Sequence, residues 1–240
     1  DWIKKLGAFL NKTAGESPQV ELVGICFGHQ IISHAVFGLN IHAASKGWEI
    51  GPHTVQLTPD GKKIFPHHDT LKLEMFHHDA ANVFGGDHIE YFEALVEVQP
   101  YKVAEHDFHI RGSTLKAPNQ GTVAMKNKGA DALLETKDIH IFTCQGHPEI
   151  TPGMTAYLLD LFEADIVKMG DQKAVAEARG LFATFANGKP EDKIVDWLPV
   201  ATLMWALTTG NSFTIESNHQ LHVKIQDIPD PKDNVFVLLT

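Results

Sequence analysis

The sequence is poor in cysteine, with two among its 240 residues. Two cysteines cannot form the disulfide framework of a small secreted domain, and their scarcity predicts a reducing, cytoplasmic location. Long apolar runs are also missing. The longest, residues 197–207, contains Pro199 and is shorter than the roughly 20 residues that a membrane helix needs. No N-terminal stretch combines a basic region, an apolar core and a small-residue cleavage site. The sequence therefore predicts no membrane partner.

Basic residues are few: 20 Lys and Arg stand against 30 Asp and Glu, which gives a formal charge of −10 at neutral pH. Phosphate backbones and anionic lipids repel such a chain, so nucleic acid and membrane surfaces are not expected partners. The chain is 43% hydrophobic and 21% charged, which is ordinary for a globular protein. Its length and composition predict one large domain with at most a small addition.

Apolar patterning predicts an α/β fold of three layers, in which a mostly parallel sheet lies between helices. Residues 2–10 have helical apolar spacing, residues 20–25 read as a buried strand, and a second helix follows and ends near Gly38. Strand, sharp turn and helix in this order are typical of parallel sheets. Because such domains usually begin with a strand, the pattern predicts that the first strand is missing.

The second half of the chain predicts another buried strand, a long helix and a change of character. The strand covers residues 139–143, and Thr151 and Pro152 then favour the start of a helix. Six residues are predicted to form its core-facing stripe: Met154, Leu158, Leu161, Phe162, Ile166 and Met169. Residues 1–188 are predicted to form the main domain, and residues 189–240 an unassigned C-terminal extension that ends in a hairpin of residues 221–226 and 235–239.

The sharpest motif is Gly24-Ile-Cys26-Phe-Gly28, the pattern of a nucleophile elbow. Small residues on both sides of the nucleophile allow a tight turn between a strand and a helix. The start of that helix favours the thiolate form of Cys26, and the backbone N–H of Phe27 is expected to face a developing oxyanion. The alternative is a buried structural cysteine in a turn that contains glycine.

A thiolate nucleophile needs a base and a group that orients the base. Gln145-Gly-His147-Pro-Glu149 follows the second buried strand and supplies both. Pro148 favours an extended backbone at the histidine, which allows the carboxylate of Glu149 to turn back toward the imidazole. The pairing of this motif with the cysteine elbow makes the prediction specific.

Together these two motifs resemble those of the class I glutamine amidotransferases, and the free-standing members related to the glutaminase of GMP synthase and the plant γ-glutamyl peptidases in particular. Residues 45–51 are similar to a segment of the same members. The resemblance covers residue 1 to the helix after Glu149. It implies a flavodoxin-like fold, a small-molecule substrate, and neither a cofactor nor a metal.

The resemblance also implies roles for individual residues. Cys26 is expected to attack a γ-carboxamide, with His147 as general base and then acid, and with Glu149 orienting the imidazole. Gln30 matches a position that contacts bound glutamine, and His78 lies where relatives carry a polar motif on the substrate side. For His78, a solvated loop is an equally good interpretation.

Three functions stay open at this point. The first is a glutaminase that delivers ammonia to a synthase partner, and the second is a hydrolase of γ-glutamyl peptides that needs no partner. The third is an inactive binding or assembly module. It is favoured by the missing first strand, by a missing glycine loop that supplies a second oxyanion N–H in the family, and by the unassigned extension. The intact Cys26, His147 and Glu149 favour the first two.

Two further groups of residues have simple interpretations. His67, His68, His77 and His78 lack the spacing of metal ligands on one element, so no metal site is expected. Cys144 is expected to be a small buried residue at the end of a strand, although it is close enough in sequence to His147 to raise the alternative of a redox partner for Cys26.

Overall fold

The structure is a computed structural model that describes residues 2–82, 108–126, 139–189, 195–209, 212–215, 221–224 and 237–239. The described helices are α1 (Trp2–Glu16), α2 (Phe27–Ala35), α3 (Pro59–Ile64), α4 (Pro152–Lys168), α5 (Gln172–Asn187) and α6 (Trp197–Thr209). The first six strands are β1 (Leu22–Ile25), β2 (Asn40–Ala43), β3 (Glu49–Leu57), β4 (Thr70–His77), β5 (Asp79–Asn82) and β6 (Phe108–Ile110). The others are β7 (Gly112–Ser113), β8 (Thr122–Met125), β9 (Ile139–Cys144), β10 (Ser212–Ile215), β11 (Leu221–Lys224) and β12 (Val237–Leu239).

The central sheet has five described strands in the order β12-β1-β9-β8-β6. Strand β1 pairs in parallel with both of its neighbours, whereas β8 is antiparallel to β9 and to β6. Every residue of β1 and of β9 is buried, as expected for a strand with helices or sheet on both faces. The predicted α/β class is confirmed, but the sheet is mixed and not mostly parallel: two of its four described pairings, those on both sides of β1, are parallel, and the other two are antiparallel.

Apolar clusters cover both faces of the central sheet. On one face, Leu22 of β1 and Ile141 of β9 pack with Leu10 of α1 and Ile31 of α2. On the other, alternate residues of the same strands pack with side chains of β3, β4 and α6. Because burial of one such side chain contributes about 1.5–3 kcal/mol, these clusters hold β1 and β9 firmly in place.

A second sheet, β4-β3-β7, is antiparallel and carries α4 and α5 on its far side. Ile50 of β3 packs there with Leu159 and Ile166 of α4 and with Val175 of α5. Two short antiparallel pairs, β2–β5 and β10–β11, complete the described strands. Because Glu74 of β4 forms an isolated bridge with His147, this second sheet contacts the loop that follows β9.

The predicted stripe of the long helix is wrong for most of its members. Helix α4 begins as predicted, with the Thr151 hydroxyl accepting a hydrogen bond from the Met154 backbone N–H and Pro152 in the first turn. Its buried face consists of Thr155, Leu159 and Ile166. The exposed side chains include four of the six predicted to be buried: Met154, Leu161, Phe162 and Met169. The helix is apolar on more than one side, so periodicity alone could not choose the face that packs.

The described parts of the C-terminal extension pack onto the rest of the chain. Val200, Leu203 and Met204 of α6 belong to the same apolar cluster as Val23 of β1. The predicted hairpin is wrong, because β11 pairs with β10, whereas β12 pairs with β1. A strand from residues 237–239 therefore occupies one edge of β1. The domain division at residue 188 stays a prediction.

The N-cap of α5 is expected to contribute measurably to stability. The Asp171 carboxylate accepts hydrogen bonds from the backbone N–H groups of Ala174, within the helix, and of Trp48, at the start of the second sheet. Asp171→Ala is expected to cost about 1–2 kcal/mol of unfolding free energy, which lowers Tm by about 2–8 °C in a chain of this size. Thermal unfolding followed by circular dichroism measures the change. Asp165→Ala, at an exposed helical position, is the matched control, and an equal Tm for both variants would contradict this role of Asp171.

Candidate active site

The turn between β1 and α2 has the geometry of a nucleophile elbow. Cys26 lies there with φ 49° and ψ −104°, and among the described residues it is the one non-glycine residue with positive φ. A Cβ on Gly24 would lie 2.6 Å from the backbone C and O atoms of Gly28, so the strand and the helix touch at this point. Both the strained backbone and the close approach are typical of a nucleophile held on a sharp turn.

The elbow is tied to β9 on one side and opens into the first turn of α2 on the other. The Cys26 N–H donates to the Cys144 carbonyl at 2.9 Å, and the Cys26 carbonyl accepts from the Gln30 N–H at 3.1 Å. The first N–H groups of a helix have no acceptor within the helix, so those of Phe27 and Gly28 lie at its positive end. The side chain of Cys26 is half-buried next to these donors.

His147 and Glu149 lie beside Cys26, at the carboxyl end of β9. The His147 N–H donates to the Glu74 carbonyl at 2.8 Å, which ties the loop after β9 to strand β4. Nδ1 of His147 lies 2.7 Å from Oε1 of Glu149, and the side chain of Cys26 lies close enough to the same imidazole to raise its pKa. The structure therefore brings together the three residues that the two motifs predicted as a unit.

The charge state of His147 follows from this arrangement. Burial lowers the pKa of the imidazole, but its hydrogen bonds to Cys26 and Glu149, with the negative charge of both groups, outweigh burial and raise the pKa to about 10. At neutral pH the histidine is therefore an imidazolium that donates to the Glu149 carboxylate. A protonated histidine beside a cysteine stabilises the thiolate, which is the reactive form of the nucleophile.

Gln30 and His78 both lie near Asp79. Gln30 is on α2, one helical turn after Cys26. The Gln30 amide is buried, and its Nε2 donates to the Asp79 carbonyl at 3.0 Å and to Oε1 of Gln145 at 3.3 Å. His78 is half-buried, with Nδ1 at 3.3 Å from Oδ1 of Asp79 and its ring centroid 5.4 Å from that of Trp48. Contact of either residue with a substrate stays a prediction.

His77 and Glu49 form a buried polar pair next to these residues, which the sequence did not predict. Nδ1 of His77 lies 3.1 Å from the Asp79 carbonyl, which also accepts from Gln30, and its Nε2 lies 3.1 Å from Oε2 of Glu49. Burial acts to raise the pKa of Glu49, but the hydrogen bond and charge of His77 outweigh it and the pKa is lowered. The alternation of β4 was the available signal, because His77 has the same parity as the buried Leu71, Leu73 and Met75.

Within the described ranges, no group of three or more His, Cys, Asp or Glu side chains is arranged to hold a metal ion. Cys26 and Cys144 are both free, and Cys144 is buried in the core as expected. None of the helices in the described part of the chain is long and apolar enough to cross a membrane.

The fold is that of a glutamine amidotransferase domain. The chain is similar to the crystal structure of a glutamine amidotransferase from Thermotoga maritima, with a TM-score of 0.53 at 16% identity. This match covers 86% of the chain and 69% of the solved one. The family model of glutamine amidotransferase class-I matches residues 10–164, which include both motifs and more than half of the sequence. The chain belongs to the class I glutamine amidotransferase family.

Curated relatives are similar over shorter stretches. A glutamine amidotransferase-like protein of Schizosaccharomyces pombe is 40% identical over 80 residues, which are 33% of this chain and 32% of the relative. Gamma-glutamyl peptidase 5 of Arabidopsis thaliana is 24% identical over 193 residues, which are 80% of this chain and 62% of the peptidase. The chain thus spans between a third and three fifths of the length of these curated relatives.

Proposed function

We propose that this chain hydrolyses γ-glutamyl amides through a thioester formed on Cys26. Membership of the family supports the class of reaction. The observation that carries the proposal is the contact of one imidazole, that of His147, with a cysteine on a strained elbow and with the Glu149 carboxylate. This is the arrangement of nucleophile, base and orienting carboxylate that acyl transfer requires.

The first half of the reaction forms the thioester. The Cys26 thiolate attacks the γ-carbonyl carbon, and the N–H groups of Phe27 and Gly28 donate to the oxygen that becomes negative. The His147 imidazolium then donates its proton to the departing nitrogen, the C–N bond breaks, and ammonia or an amine leaves.

The second half releases the acid. The neutral imidazole of His147 takes a proton from water, the hydroxide attacks the thioester carbonyl, and the C–S bond breaks to give glutamate and the Cys26 thiolate. Glu149 holds the ring at Nδ1 throughout, so that Nε2 faces the reacting atoms. Neither half needs a metal or a redox cofactor to balance.

The substrate is proposed to be glutamine or a γ-glutamyl peptide, which differ in the leaving group alone. Gln30 and His78 are proposed contacts for the glutamyl part, since both lie near Asp79 on the side of the elbow. The similarity to a protein named gamma-glutamyl peptidase favours the peptide, whereas the T. maritima protein is named a glutamine amidotransferase.

One experiment tests the proposed site and a parallel assay tests the leaving group. The purified chain is treated with a glutamine-like diazo-ketone, and the labelled peptide is identified by mass spectrometry. Labelling at Cys26, blocked by excess glutamine or glutathione, is expected. A folded protein that takes no label would overturn the proposal in favour of an inactive binding module.

The parallel assay measures ammonia released from glutamine and cysteinylglycine released from glutathione. Faster release of cysteinylglycine indicates a hydrolase that acts alone. Faster release of ammonia indicates a glutaminase, for which a synthase partner is the natural consumer of the product. Release of neither, from a protein that folds and is not labelled, contradicts hydrolysis altogether.

A further inference from the structure

Glu74 is a buried carboxylate that lies next to the proposed catalytic histidine and has no assigned role. It is on β4, in the second sheet, and its exposed fraction is 0%. Its backbone carbonyl accepts from the His147 N–H at 2.8 Å, and the two residues form an isolated antiparallel bridge. Residues opposite each other in such a bridge place their Cβ atoms about 4.5–5.5 Å apart on the same side. The Glu74 carboxylate and the His147 imidazole are therefore neighbours.

The carboxylate of Glu74 lacks the partners that a buried acid usually has. In the described part of the chain neither of its oxygens accepts a well-formed hydrogen bond; the Thr155 hydroxyl is close enough to lower the pKa of Glu74, but it donates to the Thr151 carbonyl. A buried polar group without a partner costs free energy, about 1–3 kcal/mol or more for a charged group, and structures seldom keep one without a reason. Stability therefore does not account for a carboxylate at this position.

Among the described residues of the site, His147 is the oppositely charged neighbour of Glu74. On β3, the residue that pairs with Glu74 is Pro52. On α4, the nearby polar group is the Thr155 hydroxyl, which donates to the Thr151 carbonyl. Lys72 lies two residues back on the same face of β4, where its backbone N–H donates to Oδ2 of Asp196.

The loop that carries His147 is held tightly against β4. A Cβ on Gly146 would lie 2.9 Å from Cβ of Leu73 and 3.0 Å from the sulfur of Met75, so the residues on both sides of Glu74 pack on this loop. The same loop carries Glu149. The imidazole therefore has two carboxylates near it, that of Glu149, which is hydrogen-bonded to it, and that of Glu74, which is buried.

We infer that Glu74 is a positioning residue for His147: its buried negative charge stabilises the imidazolium that faces Cys26. This inference rests on the proposed function, because it assigns Glu74 a part in the same reaction. Glu149 fixes the ring through a hydrogen bond, whereas Glu74 acts through charge alone. A second carboxylate keeps the histidine protonated, and the thiolate paired, up to a higher pH than Glu149 could alone.

The charge of Glu74 itself depends on pH. Burial raises the pKa of its carboxyl from the ordinary 4.5 to about 7, against the opposing effects of Thr155 and of the positive charge on His147. Because folding raises this pKa, the folded chain binds the proton more tightly than the unfolded chain. The stability linked to Glu74 is therefore fully present below about pH 4.5, and it is lost as the pH rises through about 7.

Glu74→Gln tests the inference, because the amide keeps the shape of the side chain and removes its charge. Histidine is labelled with carbon-13, and His147 is assigned by comparison with the spectrum of His147→Asn. The pH at which the His147 imidazole loses its proton is expected to fall by about one unit in Glu74→Gln, as expected when one nearby opposite charge is removed. This titration needs no turnover, so it separates the role of Glu74 from the proposed reaction.

Two further measurements complete the test, with Glu163→Gln, at a distant ion pair of α4 and α5, as the matched control. Glu74→Gln is expected to raise Tm relative to the unmodified chain more at pH 8 than at pH 5. The alkaline limb of kcat/KM is expected to move down in pH with the His147 titration, with KM unchanged. A changed Tm with an unmoved His147 titration would mean a structural role alone, and would overturn the inference. A moved titration in a protein without turnover would support it and contradict the proposed function.

Discussion

Cys26→Ala is expected to lower kcat/KM for γ-glutamyl amide hydrolysis by at least about 10⁴-fold, since loss of the nucleophile removes the covalent route and leaves binding and the oxyanion donors. The fold should be unaffected, because the side chain is half-buried at the edge of a cluster and does not fill its centre. Initial rates with glutamine and with glutathione, measured at several substrate concentrations, give the size of the loss. Circular dichroism and Tm show whether the variant is folded.

The second cysteine provides the matched control for this experiment. Cys144→Ala removes a buried thiol from the neighbouring strand, so it costs some stability but leaves the elbow, the imidazole and Glu149 in place. Turnover in this variant is expected to stay within a few-fold of the unmodified chain. Equal losses in both variants would show that the cysteines act through the core. Unchanged turnover in Cys26→Ala would rule out the proposed thioester.

Gly24→Ala is expected to disrupt the elbow from the strand side. The added Cβ would lie 2.6 Å from the Gly28 carbonyl and 2.8 Å from Cδ1 of Ile32, and the first of these neighbours is backbone that cannot rotate away. Overpacking of this kind costs about 1–3 kcal/mol, which lowers Tm by about 2–12 °C. Because α2 must shift to make room, kcat/KM should also fall by about 10²-fold or more.

Gly180→Ala is the matched control, because it makes the same chemical change on helix α5, where nothing lies within 4 Å of the new Cβ. Alanine is the better helix former there by about 0.5–1 kcal/mol, so this variant should melt slightly higher and turn over normally. Differential scanning calorimetry and initial rates separate the two cases. If Gly24→Ala behaved like Gly180→Ala, the close contact between β1 and α2 would be contradicted.

The elbow and the motif of residues 145–149 could be predicted from the sequence because each depends on a few consecutive residues. The two glycines around Cys26 allow a tight turn. The strand before Cys26 and the helix after it are both short and have clear apolar patterns. The Thr151-Pro152 start of α4 is local in the same sense, and it too is present in the structure. Features that depend on a few neighbouring residues can be predicted from the sequence, because they do not depend on packing between distant segments.

What the sequence could not provide is the packing between distant segments. The apolar residues of α4 fit two faces of a helix equally well, and the position of β3 and β4 decided between them. Residues 221–224 and 237–239 both read as strands, but their pairing partners, β10 and β1, lie elsewhere in the chain. No local pattern connects Glu74 with His147, and it is the bridge between their backbones that places the two residues together.

The pairing of β12 with β1 has a consequence for the order in which the site is assembled. Leu22 pairs with Val237, roughly 215 residues further along the chain. Contacts between such distant segments close a very large loop, and pairings of this kind form slowly. During synthesis, β1, the strand that leads into the elbow, cannot pair with β12 until residues 237–239 have been translated. Until then the elbow strand has an unpaired edge, which is the kind of surface on which a nascent chain is prone to pair wrongly.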